Sequence, residues 1–362
     1  MDELSLVKKL LENVYLGTPQ IHKNIVVVPL ISPAAEAGED SDLIPLQEAI
    51  AKGLRIKETC EVERVLVQNW TERDVFLMES EGLVGGYQNR AIAKSVVVAA
   101  RSQRFVEVNC VEKGRWRGTR STFDAAGMCY ASLREEKLLS IYRSGSISQD
   151  EVWAEIDGRL SQGAKTYNMF SIYQARRQDI EEYMSHFYYA SRSMGAMVIV
   201  GGGKVHLDLY WSARVMKKNL TRLLRSAVVE TSPTPGGSYL PPWEVKSLLG
   251  EIPQAKPHAL AGEDGGMSLL LASRKLISSA LIYRGRVVHL SAHIDRSESD
   301  KITESELVDW VVKEQSVESE WERRAERNRR IEEDRSLRHK ARLQALRFFG
   351  DVHKRRIGAD VR

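Results

Sequence analysis

"CEVERVLVQNWTERDVFLMESEGLVGGYQNRAIAKSVVVAARSQRFVEVNCVE", residues 60–112, is the stretch whose reading decides the class of fold. Four runs stand out within it: CEVERVLVQNW, DVFLMES, KSVVVAA and RFVEVNCVE. Each is apolar or alternates apolar with polar residues, and turn-forming residues separate them. Successive side chains of a strand point to opposite faces, so alternation marks a half-buried strand. Short runs at this spacing favour an antiparallel sandwich or a barrel-like sheet.

Upstream, KNIVVVPLIS is rich in Val and Ile and reads as a strand closed by Pro33. PAAEAGEDSD is a polar loop, and LIPLQEAIAKGL a short helix that Gly53 stops. At the N-terminus, Leu4, Leu6, Leu10 and Leu11 alternate with charges, the pattern of an amphipathic helix. Downstream of Phe123 the period changes. AGMCYASLREEKLLSIYRSG, SQDEVWAEIDGRLSQG and SIYQARRQDIEEYMSHFYY read as helices, with Ser148 placed to cap the second and Glu151 three residues on. MGAMVIVGGGKVHLDLYW reads as two strands joined by a glycine turn, followed by the helix ARVMKKNLTRLLRSAVVE. Residues 231–242 concentrate Pro, Gly and Ser and read as a linker-like loop. GMSLLLASRKLISSALIYRGRVVHLSAHI reads as a last β pair turning at Arg284-Gly285-Arg286. The expectation is an α+β protein with an N-terminal helix (1–15) and a β-rich antiparallel part (16–122). A helical middle with a second, small β-hairpin and helix unit follows (123–296), then a charged, basic helical extension (297–362).

The 362 residues are 43% hydrophobic and 28% charged, which suits a globular chain burying its core in about two domains. No stretch approaches the roughly 20 apolar residues of a transmembrane helix. The N-terminus lacks the basic start, apolar centre and cleavage site of an export signal, so a cytoplasmic protein is expected. Cys60, Cys110 and Cys129 form neither a CxxC pair nor an even framework, and read as free buried thiols. The net charge of +4 is uneven. Residues 335–362 hold nine Lys/Arg against two Asp/Glu, a local +7, which leaves −3 on the rest.

The segment FLMESEGLVGGYQNR (76–90) gathers chemistry. Glu79 and Glu81 stand two apart at a strand end, where their side chains would share one face. Such a pair can hold a divalent metal or divide acid and base roles; a solvated strand terminus is the bland alternative. Gly85 and Gly86 permit unusual backbone angles or close ligand approach, although a tight turn alone would also need them. Gln88 and Asn89 offer amide hydrogen bonds, and Arg90 a planar fork suited to phosphate or carboxylate. CVEKGRW adds Glu112, Arg115 and Trp116; Arg and Trp together can hold a phosphate and stack on its base, or the Trp can anchor a loop. Glu79, Glu81 and Glu112 are thus the candidate catalytic acids, and Gly85, Gly86, Gln88, Asn89, Arg90, Arg115 and Trp116 the candidate substrate contacts. The cofactor stays open, with a divalent metal on Glu79 and Glu81 as the one the acids suggest. Cys110 has no His nearby in sequence and is expected to fill core.

Five segments in register resemble the ARPP-type domain, named for its association with ADP-ribosylglycohydrolase and rhodanese-phosphatase-superfamily proteins. They are the acidic pair with LVG and QNR, VNCVEKGRW (108–116), GSISQDEVWAEI, GAMVIVGGGKVHLDLY with LLRS, and ALIYRGRVVHLSAH. The resemblance runs from about Leu16 to His293, so residues 16–122 and 123–296 would be the two parts of that domain. It implies a role near ADP-ribose, NAD or phosphoester chemistry. The pattern has an aspartate and two adjacent glutamates before LVG; here the run is Glu79-Ser80-Glu81-Gly82, and Tyr87 stands where lysine is common. One carboxylate is missing, so a reaction needing it would be impaired.

Other motifs carry less. VGGGKV lacks the spacing of a phosphate loop, and Lys204 leads into a strand instead of a helix, so a hairpin turn is expected. His206, Asp208, His289 and His293 could form a metal set across two hairpins, though their spacing is unspecific. In the tail, Leu337, Leu343, Leu346 and Phe349 line one side of a helix, surrounded by Arg335, Arg338, Lys340, Arg342, Arg347, Lys354, Arg355 and Arg356. A basic amphipathic helix of this kind suits nucleic acid or an acidic protein partner, an oligomer contact, or plain solvent. The leading expectation is an enzyme, or a descendant of one, acting on a nucleotide-like or ADP-ribose-like phosphorylated ligand. Gln88 and Asn89 would orient that ligand, while Arg90 and Arg115 bind its phosphate. The alternatives are a non-catalytic protein docking on nucleic acid or nucleoprotein through the tail, and a structural homo-oligomer subunit.

Overall fold

The computed structural model describes residues 2–32, 43–116, 118, 120–160, 167–201, 203–231, 241–263 and 266–296. The described residues belong to one compact unit, Met1–Ile302. The eight basic residues singled out in the tail lie outside them, as do positions 232–240 of the linker-like loop.

The opening stretch supplies four strands of a closed barrel, but of the four runs read there only CEVERVLVQNW and RFVEVNCVE belong to it, while DVFLMES and KSVVVAA pair with each other in a separate sheet. Six antiparallel strands close in the ring order Ser102–Cys110, Arg64–Asn69, Arg55–Glu58, Thr122–Met128, Glu81–Gly85 and Arg90–Ile92, which pairs back to Ser102–Cys110. Burial along Arg64–Asn69 alternates from its exposed first residue, as the period-two pattern requires. Ile56, Val65, Val67, Leu83, Ile92 and Phe123 fill the interior. Closure leaves no strand edge open to another chain. A three-stranded sheet of Leu43–Pro45, Asp74–Leu77 and Val96–Val98 shares that core through Ile44, Val75 and Val98.

The later β unit takes part in a nine-stranded antiparallel sheet. Its strand Ile25–Ile31 comes from before the barrel and pairs with Ser193–Val200 from after it. Ile25 and Val27 face one core and Val26, Val28 and Leu30 the other, so burial on both faces explains the unbroken apolar run. The glycine turn after Val200 and the strand Lys204–Tyr210 follow, as expected for VGGGKV. Arg284 and Gly285 both take positive φ, 49° and 71°, the geometry that matches a tight hairpin to strand twist.

Eight helices complete the described fold: α1 (Glu3–Glu12), α2 (Leu46–Ala51), α3 (Ala131–Ser144), α4 (Gln149–Arg159), α5 (Met169–Ala175), α6 (Arg177–Met184), α7 (Ala213–Val228) and α8 (Pro242–Glu251). Ser148 caps α4 by accepting the Glu151 N–H at 3.3 Å. The single helix expected over SIYQARRQDIEEYMSHFYY is broken at Arg176 into α5 and α6. Val7 and Leu11 of α1 and Val245, Leu248 and Leu249 of α8 cover one face of the large sheet. The opposite face carries a polar row, His206, Asp208 and Tyr210 beside His293, Ser291 and His289, and this row meets the barrel and α3.

Candidate functional site

The two acids of the opening motif part company at a turn. Glu81 donates its N–H to the Met78 carbonyl at 3.2 Å, and Ser80 adopts φ +62°, an uncommon left-handed conformation for a residue with a side chain. Lys137 of α3 holds that turn, donating to Ser80 Oγ at 3.1 Å and to the Ile92 carbonyl at 2.7 Å. A continuing strand would have kept Glu79 and Glu81 on one face; the turn gives them different partners. Glu79 Oε1 accepts from Ser291 Oγ at 2.5 Å and lies 3.4 Å from Arg134 Nη2. Glu81 Oε1 meets Arg222 Nη2 of α7 at 2.7 Å.

Glu79 thereby enters a buried network. Arg134 grips both Asp208 oxygens, at 2.8 and 2.5 Å, and is 1% exposed. His289 lies between Asp208 Oδ1, 3.1 Å from Nε2, and Ser95 Oγ, 3.1 Å from Nδ1. Ser95 Oγ in turn accepts the Glu79 N–H at 2.9 Å. Burial alone would raise the Asp208 pKa, but the Arg134 charge and hydrogen bonds from Arg134 and His289 hold it below the usual range. Burial pushes the Lys137 ammonium down. Ser95, His289 and Asp208 resemble a nucleophile–base–acid chain, yet all three are buried and Arg134 already occupies the acid. The network ties the barrel, α3 and the large sheet together. The four candidate metal groups of that sheet separate into two pairs, Asp208 with His289 and His206 with His293, whose Nδ1 atoms are 3.0 Å apart.

The remaining candidates do meet, at a barrel rim where Gly85, Arg90 and Cys110 end or begin their strands. Gly86 has φ +54°, and a Cβ there would lie 2.2 Å from the Phe123 ring; one on Gly85 would lie 2.5 Å from the Thr122 carbonyl. The close approach these glycines allow is to their own chain. The Gly86 carbonyl accepts from Arg115 Nη1 at 3.2 Å, and the Tyr87 N–H donates to Glu58 at 2.9 Å. Glu112 Oε2 accepts the Asn89 N–H at 2.9 Å and Arg115 Nη2 at 2.6 Å. Gln88 Nε2 donates to the Glu112 carbonyl at 3.0 Å, while its Oε1 accepts Arg90 Nη1 at 2.9 Å.

Arg90 is the anomaly. It is fully buried at 0% exposure, and its Nε and Nη2 find no hydrogen-bond acceptor among the described residues. No carboxylate among them pairs with it. Burial raises the adjacent Cys110 thiol, so despite the pull of Arg90 it stays neutral and supplies no counter-charge. Trp116 lies over the guanidinium at 5.6 Å, 47% exposed, with the Tyr87 ring 5.7 Å away.

A cleft of about 850 Å³ opens elsewhere, lined by Met128, Phe170 and Met184 and by Arg177, Arg222 and Arg225. Arg222 links Glu81 to its wall. Sequence reading missed Ser95, Arg134, Lys137, Arg222 and Ser291. Arg134 and Lys137 sit in LREEKLL, which looks like a solvated helix face, and their acceptors lie far away in the chain.

The fold and the rim define an α+β protein whose closed antiparallel barrel, braced against a large sheet, presents a Gln–Asn–Arg and Glu–Arg–Trp cluster. The chain belongs to the ARPP-1 family: the model of the ARG and Rhodanese-Phosphatase-superfamily-associated Protein domain matches residues 13–293. Neither a curated protein nor a solved structure matches the chain. Among the described residues, no helix is long and apolar enough to cross a membrane.

Proposed function

We propose that the rim cluster binds a nucleotide-like, phosphorylated ligand of the ADP-ribose class. Its phosphate would rest on Arg115 and reach the buried Arg90 guanidinium once Trp116, which lies over it, swings aside, and its base would stack on that indole. The observation that carries this reading is the buried, uncompensated Arg90 guanidinium. A guanidinium keeps its proton in proteins, and an unpaired buried charge costs several kcal/mol. Phosphate supplies the missing charge in a geometry that suits the fork, and an aromatic face accepts any base. The association of the family with ADP-ribosylglycohydrolase and rhodanese-phosphatase proteins points to the same ligand class.

Binding is preferred over turnover because each candidate acid is already engaged by an arginine: Glu79 by Arg134, Glu81 by Arg222 and Glu112 by Arg115. The test is calorimetry of the full chain with ADP-ribose, ADP and pyrophosphate as probes. Arg90→Met should weaken binding by about 30-fold or more, the loss expected when one side of a buried charge pair is removed. Trp116→Ala should weaken ADP-ribose and ADP but leave pyrophosphate nearly unchanged. If Arg90→Met binds every probe as tightly as the parent chain, the reading fails.

A further inference from the structure

We propose a second, independent site, for a divalent transition-metal ion, at His22, Glu182 and His186. Among the described residues these three bring one ligand atom each to within 4.8 Å of one another. They come from two segments. His22 ends the strand Gln20–His22, while Glu182 and His186 lie one helical turn apart at the end of α6, where the chain is still turning.

The carboxylate is already held, while the two imidazoles are not yet aimed at a common point. His22 Nε2 lies 2.6 Å from Glu182 Oε1, and the second carboxylate oxygen is taken by Lys23 Nζ at 2.8 Å. Glu182 is therefore set to bind through one oxygen. His186 Nδ1 is 3.0 Å from both the Glu182 carbonyl and Ser185 Oγ; a bond to the carbonyl needs the proton on Nδ1, and that tautomer leaves Nε2 with a lone pair. Partners of this kind, a cation on the idle oxygen and a carbonyl on the idle nitrogen, fix ligand direction around bound metals. The His22 and His186 rings stack at 3.6 Å, and the edges of Tyr183 and Phe187 flank His22 at 5.2 and 6.4 Å.

The donor set names the ion class. Two imidazoles and a carboxylate suit zinc, cobalt, nickel or copper, whereas magnesium and calcium prefer oxygen throughout. Ligand bonds of roughly 2.0–2.2 Å need donor atoms about 3.3 Å apart, so the ion would displace the proton that His22 shares with Glu182 and part the two slightly. The rings lie near-parallel, at 11°, so exposed His186 must turn out of the stack for both lone pairs to meet one ion. Three protein ligands leave a fourth position, which exposed His186 opens to solvent. That is the pattern of zinc sites that take water or a further ligand, not of closed structural ones.

The test uses the full chain, stripped of metal and carrying Cys60→Ser so that its exposed thiol does not compete. Zn2+ is titrated by calorimetry and Co2+ by visible absorption. One equivalent should bind, and His186→Ala, at an exposed position, should weaken it by about 100-fold. Lys23→Met should weaken it by about 10-fold, in the range for an outer partner. Arg90→Met should bind the metal as the parent does, which separates this site from the rim. Equal affinity of the parent and His186→Ala, or no saturable binding by the parent, would overturn the proposal.

Discussion

Arg134 and Arg90 are both buried arginines, but among the described residues only Arg134 has carboxylates to face. It compensates Asp208 and Glu79, so its removal strands two acids in the interior. Breaking a buried pair from one side costs about 3–5 kcal/mol. Arg134→Met should lower stability by that amount in urea unfolding at pH 7, and adding Asp208→Asn should recover part of the loss. Arg90→Met should do the opposite: relieved of an uncompensated charge, the protein should be as stable as the parent or more so. A loss above about 2 kcal/mol for Arg90→Met would mark Arg90 as a structural group, since an unpaired buried charge gives no such support. Gln88, Asn89 and Arg90, and separately Glu112, Arg115 and Trp116, were legible as two short motifs because each lies within one short segment of the chain; that the two meet was not, since the strand Ser102–Cys110 lies between them. Glu79 and Glu81 were not, because a left-handed Ser80 leaves no mark that distinguishes it from a strand residue.

Between elements, two titrating contacts give opposite ends of one acid profile. Glu48 of α2 receives Arg214 and Lys218 of α7 at 2.6 and 2.5 Å and Lys52 at 2.9 Å. Burial would raise its pKa, but these three cations bring it down to about 2. A lowered carboxylate stabilises the fold above its ordinary pKa. Its contribution should thus fade as pH drops from about 4.5 towards 2, and Glu48→Gln should flatten that part of the profile. His258, fully buried with the Tyr142 ring of α3 5.3 Å away, is pushed down to about 4, by burial first and Lys256 second. Native His258 stays neutral where the unfolded chain takes up a proton. Stability should therefore fall between about pH 6.5 and 4, and the fall should be smaller in His258→Leu. Urea midpoints measured at half-unit steps from pH 7 to 3 check both. The barrel strands Arg64–Asn69 and Ser102–Cys110 were readable because alternation is local, whereas the shorter Arg55–Glu58, Glu81–Gly85 and Arg90–Ile92 and the irregular Thr122–Met128 were not read. The strand Lys256–Glu263 that carries His258 was not read, since its KPHALAGE has a proline in second place and lacks a β-branched run.

At the scale of the whole molecule, the family match ends at residue 293 and the described residues at Arg296, ahead of the basic tail. Deleting residues 303–362 should leave ADP-ribose affinity at the rim within about two-fold. If the tail docks on nucleic acid, the same deletion should abolish binding to a single-stranded oligonucleotide whose affinity falls steeply with salt. Calorimetry and fluorescence anisotropy at 50 and 200 mM salt measure the two. Lost ADP-ribose binding in the truncated chain would make the tail part of the site.

What the sequence by itself determined is whatever depends on near neighbours. Period-two alternation marked two of the barrel strands, Ser148 capped its helix, glycines turned the hairpins, and five segments in order placed the family. Only the tertiary structure decided which distant groups face each other. Ile25–Ile31 pairs with Ser193–Val200, Glu79 accepts from Ser291, and Arg134 grips Asp208. Each contact requires closing a long loop, and the energy that rewards closure comes from burial around the contact, not from the residues adjacent in the chain. The same two glutamates could therefore read as a catalytic pair in sequence and stand in the structure as separate partners of Arg134 and Arg222.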